Sequence, residues 1–198
     1  MKRKGAFLLL MIMITVLLSS CWSKKELTDL AFVSAMGVDK TKGGSYHLTL
    51  QIINPGNVAG GIQGGGAQSP PVTIYSASGD NIVEASRRAS SRISRKLYYA
   101  HANLIVIGER MARENGLNPL MDALDRDPEF RNTSTMVIAN HSTAADLVKA
   151  LTPVDKIPAN KVMKTLEFTQ RKWGETVKVS LQDVMNGLQS PGGEAVVS

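Results

Sequence analysis

The chain has 198 residues, of which 43% are hydrophobic and 20% charged, as is typical of a folded globular protein rather than a disordered one. One cysteine excludes a disulfide framework and a cysteine-rich zinc module. The formal charge is +6, but residues 1–20 contribute three positive charges and no negative ones, so the remainder carries 20 − 17 = +3, and no nucleic-acid partner is predicted.

The first 21 residues have the pattern of a bacterial lipoprotein leader. A basic start at residues 2–4 precedes the apolar run 6–18, which as a helix would span about 20 Å. Because a bilayer core needs roughly 30 Å, this run predicts a secretion signal (residues 1–20) rather than a membrane-spanning helix. The letters LSSC, which end at Cys21, match the lipobox, so we expect a diacylglyceryl group on Cys21 and no other cofactor. Two acyl chains would anchor the protein stably on the outer face of the cytoplasmic membrane.

The residues after the leader predict an antiparallel hairpin followed by a third strand. Segments 31–39 and 46–54 read as the two hairpin strands, and the second alternates apolar and polar residues like a half-buried strand. A long Gly/Pro-rich loop at 55–71 then leads to a strand at 72–75.

The strongest helical pattern runs from residue 80 to about residue 97, with Asp80 at its N-terminus. One side of this predicted helix is apolar and the other is basic. On a membrane-anchored protein the basic side could contact anionic lipid or a partner, and a solvated surface is the alternative. The basic residues are Arg87, Arg88, Arg92, Arg95 and Lys96.

The rest of the chain alternates strands and helices, which favours right-handed crossovers and parallel neighbours. We expect strands at 103–107 and 135–139, and helices at 109–114, 119–124, 142–151 (capped by Ser142), 160–173 and 180–188. Together with the hairpin this gives an α+β fold with a mixed sheet and helices packed on it. Residues 21–152 would form this domain, and residues 153–198 a helical segment leading into a second, truncated domain.

No catalytic constellation is evident. His47, His101 and His141 lack a second ligand at metal-binding spacing, so no metal site is predicted. The acidic residues near position 127 alternate with Arg126 and Arg131, which favours a turn held by ion pairs over acid–base catalysis. We therefore expect a protein that is not an enzyme.

Several motifs in order along the chain resemble those of the Ger(x)C spore-germination lipoproteins, the C subunits of nutrient germinant receptors. They are Cys21-Trp22, Lys25-Glu26-Leu27, Asp29-Leu30, the segments 36–40, 51–55, 95–101, 105–109 and 126–131, and the residues Ser190-Pro191-Gly192 with Glu194-Ala195. Members of that family are about twice this long, so the resemblance covers their N-terminal half.

The resemblance implies a non-enzymatic subunit, anchored at the spore inner membrane, that assembles with polytopic A and B subunits for nutrient-triggered germination. It implies that the small-molecule nutrient is not bound by this subunit. Residues that match the motifs without a known role are Glu26, Asp29, His101, Arg126, Asp127, Glu129 and Arg131. The alternative is a solute-binding lipoprotein that captures a small molecule for a membrane transporter.

Overall fold

The computed structural model describes residues 29–55, 70–115, 117–127, 129–150, 157–172 and 177–190, together with positions 4 and 197. Residues 1–30 form one compact unit and residues 31–198 a second. In the first unit only positions 4, 29 and 30 are described, so the predicted leader and Cys21 lie outside the described residues. No described helix is long and apolar enough to cross a membrane.

The described chain alternates between strands and helices. The strands are β1 (Leu30–Lys40), β2 (Tyr46–Ile53), β3 (Val72–Gly79), β4 (Lys96–Tyr98), β5 (Leu104–Gly108), β6 (Thr135–Ala139) and β7 (Val179–Ser180). The helices are α1 (Ile82–Ser90), α2 (Glu109–Asn115), α3 (Asn118–Asp125), α4 (Ala144–Ala150), α5 (Pro158–Lys172) and α6 (Leu181–Gln189).

All of these strands belong to one mixed sheet with the order β3-β2-β1-β5-β6-β7, and β4 also pairs with β1. β1 and β2 form the predicted antiparallel hairpin. β5 lies parallel to β1 and β6 lies parallel to β5, as expected for crossover connections. The predicted α+β fold is therefore confirmed.

Helices cover both faces of the sheet, so alternate side chains of β5 are buried in opposite directions. Ile105 and Ile107 pack into a larger core with residues from α1, α2, α3 and α6. Leu104 and Val106 pack into a smaller core with α4 and the start of α5. β7 extends the sheet and α6 joins the larger core. The predicted domain boundary at 152/153 lies in residues 151–156, outside the described residues.

The prediction of a half-buried β2 was wrong at two positions. Thr49 and Gln51 are fully buried because α4 packs against the polar face of this strand. Ser34, at a break in the β1–β2 register, donates to the Gln51 side-chain oxygen at 2.9 Å. Thr49 lies 3.2 Å from the hydroxyl of Ser76. These cross-strand hydrogen bonds satisfy the Gln51 side-chain oxygen and the Thr49 hydroxyl, whereas the Gln51 side-chain nitrogen is buried without a partner among the described residues.

The predicted helix at 80–97 is shorter than expected. α1 ends at Ser90, and residues 91–95 turn the chain into β4. The physical reason is a serine-rich segment, in which the Ser91 hydroxyl donates to the Arg88 carbonyl at 2.8 Å and competes with helical bonding. Asn81, not Asp80, is the N-cap, since its side chain accepts from the Glu84 N–H at 2.8 Å.

The start of α4 is held by the carboxylate of Asp39 at the end of β1. Asp39 accepts hydrogen bonds from the N–H groups of Ala144 at 2.8 Å and Ala145 at 2.9 Å. Thr143, rather than the predicted Ser142, supplies the local cap by accepting from the Asp146 N–H at 3.0 Å. One acidic side chain thus ties the first strand of the sheet to a helix more than 100 residues later.

Candidate functional site

The two longest motif segments, 95–101 and 126–131, meet beside α1. The rings of Tyr99 and Phe130 stack with their centroids 4.6 Å apart and an interplanar angle of 26°. The ammonium of Lys96 lies 3.5 Å from a carboxylate oxygen of Glu129. We call Lys96, Tyr99, Asp127, Glu129 and Phe130 the motif cluster.

Tyr99 joins the motif cluster to α1. Its side chain is 5% exposed, and its hydroxyl lies 2.7 Å from the Ser86 hydroxyl. Burial raises the pKa of Tyr99 to about 12, partly offset by the hydrogen bond with Ser86 and reinforced by the negative charges of Asp127 and Glu129. Near pH 7 the hydroxyl is protonated, and its hydrogen bond with Ser86 holds α1 on the motif cluster.

The charged turn at 126–131 is held by interactions that reach outside the turn as well as within it. Arg126 pairs with Asp122 one helical turn earlier at 2.9 Å, and Asp127 accepts a hydrogen bond from the Glu129 N–H at 2.9 Å. Arg126 therefore pairs with a residue of α3 and not with the acidic residues beside it in the turn. Arg131 is exposed.

A cavity of about 90 Å³ lies between α1, α3 and the motif cluster. Its lining is mostly apolar and includes Met36, Leu48, Ile82, Val83, Leu124 and Phe130, with Arg87 and Asp127 as the charged contributors. Small-molecule sites usually occupy about 300–1,000 Å³, so this space suits one apolar side chain better than a nutrient.

A second aromatic group surrounds the predicted motif residue His101. Its ring centroid lies 5.5 Å from that of Phe32 and 5.8 Å from that of Tyr98, and the rings of Phe32 and Tyr98 meet edge to face at 5.8 Å. His101 is exposed at the edge of this group. Its ring contacts indicate that it packs against the start of the sheet.

Two of the predicted basic contact residues lie across the free edge of β3. Arg88 donates to the Ser78 carbonyl at 3.0 Å, and Arg92 donates to the Ser76 carbonyl at 2.8 Å. Arg88 also pairs with Glu84 at 2.6 Å. These arginines bond outward-facing carbonyls of an edge strand that has no further strand beside it in the described sheet.

The remaining predicted residues are dispersed. Arg95 and Asp29 are exposed, while Cys21 and Glu26 lie outside the described residues. Sequence reasoning included Phe130 only as part of the motif segment 126–131 and gave no contact role to Ser86 or Phe32. Only the recurrence of aromatic residues beside charged motif positions could have indicated the two phenylalanines. Within the described ranges no three His, Cys, Asp or Glu side chains form a group that could hold a metal ion.

Comparison with known proteins shows which family carries these motifs. The family model described as the spore germination protein N-terminal domain matches residues 23–198. Spore germination protein KC of Bacillus subtilis is 55% identical over 95% of this chain and 46% of its own length. Spore germination protein B3 of the same organism is 26% identical over 80% of this chain and 40% of its own length.

A further relative supports the same family. The putative spore germination protein YfkR of Bacillus subtilis is 33% identical over 76% of this chain and 39% of its own length. The chain therefore spans less than half the length of these curated relatives. No solved structure matches it significantly. The chain belongs to the family of spore germination proteins that share this N-terminal domain, which confirms the family predicted from its motifs.

Proposed function

We propose that the chain is part of a lipid-anchored, non-enzymatic subunit of a spore germinant receptor, which assembles with polytopic A and B subunits in nutrient-triggered germination. The observation that carries the proposal is the 55% identity with spore germination protein KC over 95% of this chain. The motif cluster adds support, because its charged groups contact each other and its tyrosine bonds α1, which are contacts that hold the fold together.

The anchor is tested by Cys21→Ala in the full-length protein, expressed in spores of a strain without paralogous receptors. We expect the variant to move from the membrane to the aqueous fraction, and nutrient-triggered germination to be impaired while a non-nutrient germinant still works. Release of spore-core solutes measures both responses. Normal nutrient germination after deletion of the whole gene would contradict the proposed function.

We assign contact with a partner subunit to the surface patch on α1 that Val83 and Arg87 form beside the cavity. Val83 is 52% exposed there although it is apolar, and the Ser86–Tyr99 hydrogen bond holds this helix on the motif cluster. An apolar side chain of a partner subunit could reach the cavity past Val83, with Arg87 providing a polar contact.

Val83→Glu tests this contact by adding a charge to the patch without changing the core. We expect less A and B subunit to co-purify with the variant. Leu188→Glu is the matched control, because Leu188 is an apolar residue with 37% exposure on α6. Equal recovery of both subunits with the two variants would remove the contact from α1 while leaving the receptor assignment intact.

The solute-binding alternative gains no support from the cavity beside the motif cluster. A mostly apolar cavity of about 90 Å³, with one cation and one anion in its lining, is too small for an amino acid or sugar. A thermal-shift screen with such solutes is expected to show no stabilisation. A saturable rise in unfolding temperature with one solute would favour the alternative.

A further inference from the structure

Helix α5 packs on the sheet through one narrow side. Ala159 is fully buried in the smaller core, and Val162 and Leu166 are half-buried against it. At about 100° per residue these three positions fall within an arc of about 60°. The other side of the helix is therefore directed away from the sheet.

The outward side of α5 combines one aromatic residue with a group of cations. Phe168 is 57% exposed at the centre of this side. The helical spacing places exposed cations around it, namely Lys161, Lys164, Arg171 and Lys172. Arg171 pairs with Glu167 at 2.8 Å, whereas the three lysines form no ion pair within the part of the chain that the structure describes.

The net charge of α5 equals the net charge of residues 21–198. α5 contains four cations and Glu167, which sum to 4 − 1 = +3. Residues 21–198 also sum to 20 − 17 = +3, so the rest of that span contains 16 cations and 16 anions and is neutral. A net charge of +3 is thus concentrated on one helix that lies on a single face of the sheet.

We propose that the outward side of α5 is a docking surface for anionic lipid headgroups. Lysine side chains can extend to phosphate groups while an aromatic ring enters the boundary between headgroups and acyl chains. Each cation close to an anionic bilayer favours binding by about fivefold. The proposal rests on the proposed lipid anchor, which would hold the helix near a bilayer, and it assigns which face of the domain meets the lipid.

The test uses the full-length acylated protein in vesicles and a label at position 168. Cys21 is the one cysteine among these 198 residues, and acylation blocks its thiol, so Phe168→Cys adds a reactive thiol for an environment-sensitive fluorophore. The parent protein serves as the labelling blank. Val83→Cys is the matched control, since Val83 is similarly exposed at 52% but lies on a helix of the opposite sheet face.

In vesicles containing phosphatidylglycerol we expect the label at 168, but not that at 83, to be quenched by quenchers attached to lipid headgroups. High salt or vesicles of phosphatidylcholine alone should abolish this quenching, because charge attraction is screened or absent. Lys161→Gln with Lys164→Gln should lower the fraction of docked helix by about 25-fold at most. Thermal unfolding of these exposed variants checks that the fold is retained.

Two outcomes would overturn the proposal. If the label at 168 stays unquenched while the protein remains on vesicles, the anchor holds but α5 does not dock on lipid. If the label becomes shielded only when the A and B subunits are present, the basic side of α5 binds an acidic protein surface instead. Release of the parent protein into the aqueous fraction would point separately to a failure of the anchor.

Discussion

Single residues determine how the motif cluster is held together. Tyr99 connects three parts of the chain, because its hydroxyl bonds Ser86 on α1 and its ring stacks on Phe130 in the charged turn. A buried phenol with a partner stabilises the fold only while it keeps its proton. The contribution of Tyr99 to the stability of the fold should therefore be lost at alkaline pH.

Tyr99→Phe tests this dependence. The pKa of tyrosine is about 10 when the chain is unfolded and about 12 in the folded protein. The stabilisation is fully present below pH 10 and is lost as the pH rises through 12, by about 3 kcal/mol at most. We expect the free energy of unfolding, measured with denaturant, to lose this contribution in the parent protein but not in Tyr99→Phe. The same alkaline loss in both proteins would contradict it.

Asp39 and Gly108 form a second coupled pair. A β-carbon at position 108 would overlap the carboxylate of Asp39, which caps α4. Gly108→Ala should destabilise the protein by about 1–3 kcal/mol, because the carboxylate must leave its hydrogen bonds. In an Asp39→Ala background the same change should cost much less. A double-mutant cycle from denaturant unfolding measures the coupling, and additive effects would disprove it.

At the scale of elements, the edge of the sheet at β3 is closed by side chains rather than by another strand. Exposed edges carry unpaired backbone groups that can pair with other chains. Arg88 and Arg92 bond two carbonyls of β3 from α1, so part of the edge is blocked. Their predicted role in membrane or partner contact remains a prediction, but the geometry gives them a structural task.

Arg88→Ser combined with Arg92→Ser should weaken this edge. We expect a loss of about 1 kcal/mol for each hydrogen bond and greater self-association on heating. Denaturant unfolding and light scattering measure the two effects. Arg95→Ser is the control, since Arg95 is an exposed arginine that lies beyond the helix. Identical scattering for the double variant and the control would show that the edge does not need these arginines.

At the scale of the whole molecule, local patterns predicted five of the seven described strands, the hairpin and the crossovers, because these depend on periodicity and turn residues. They did not predict β4 or β7. They failed where tertiary contacts override periodicity. Gln51 looked solvent-facing, and α4 buries it. The basic residues after position 90 looked helical, and pairing with β1 makes Lys96 part of a strand.

The candidate site was predictable only in part. Ordered motifs identified the family and the segments 95–101 and 126–131, but not that they meet, since stacking of Tyr99 on Phe130 is a long-range contact. The sequence analysis predicted a contact role for the basic side of α1 and none for α5. A sum of charges by predicted helix gives 5 − 2 = +3 for residues 80–97 and 4 − 1 = +3 for residues 160–173, so the sequence alone does not distinguish α5.

The central position of β1 has a consequence for how the protein is made. Ala35 pairs with Leu104, which emerges from the ribosome 104 − 35 = 69 residues later. Until that strand is available, one edge of the hairpin lacks its parallel neighbour, wherever the chain folds. Before this pairing forms, the hairpin exposes apolar surface that can aggregate, so the yield of folded protein should depend on chaperones more than on the speed of any local folding step.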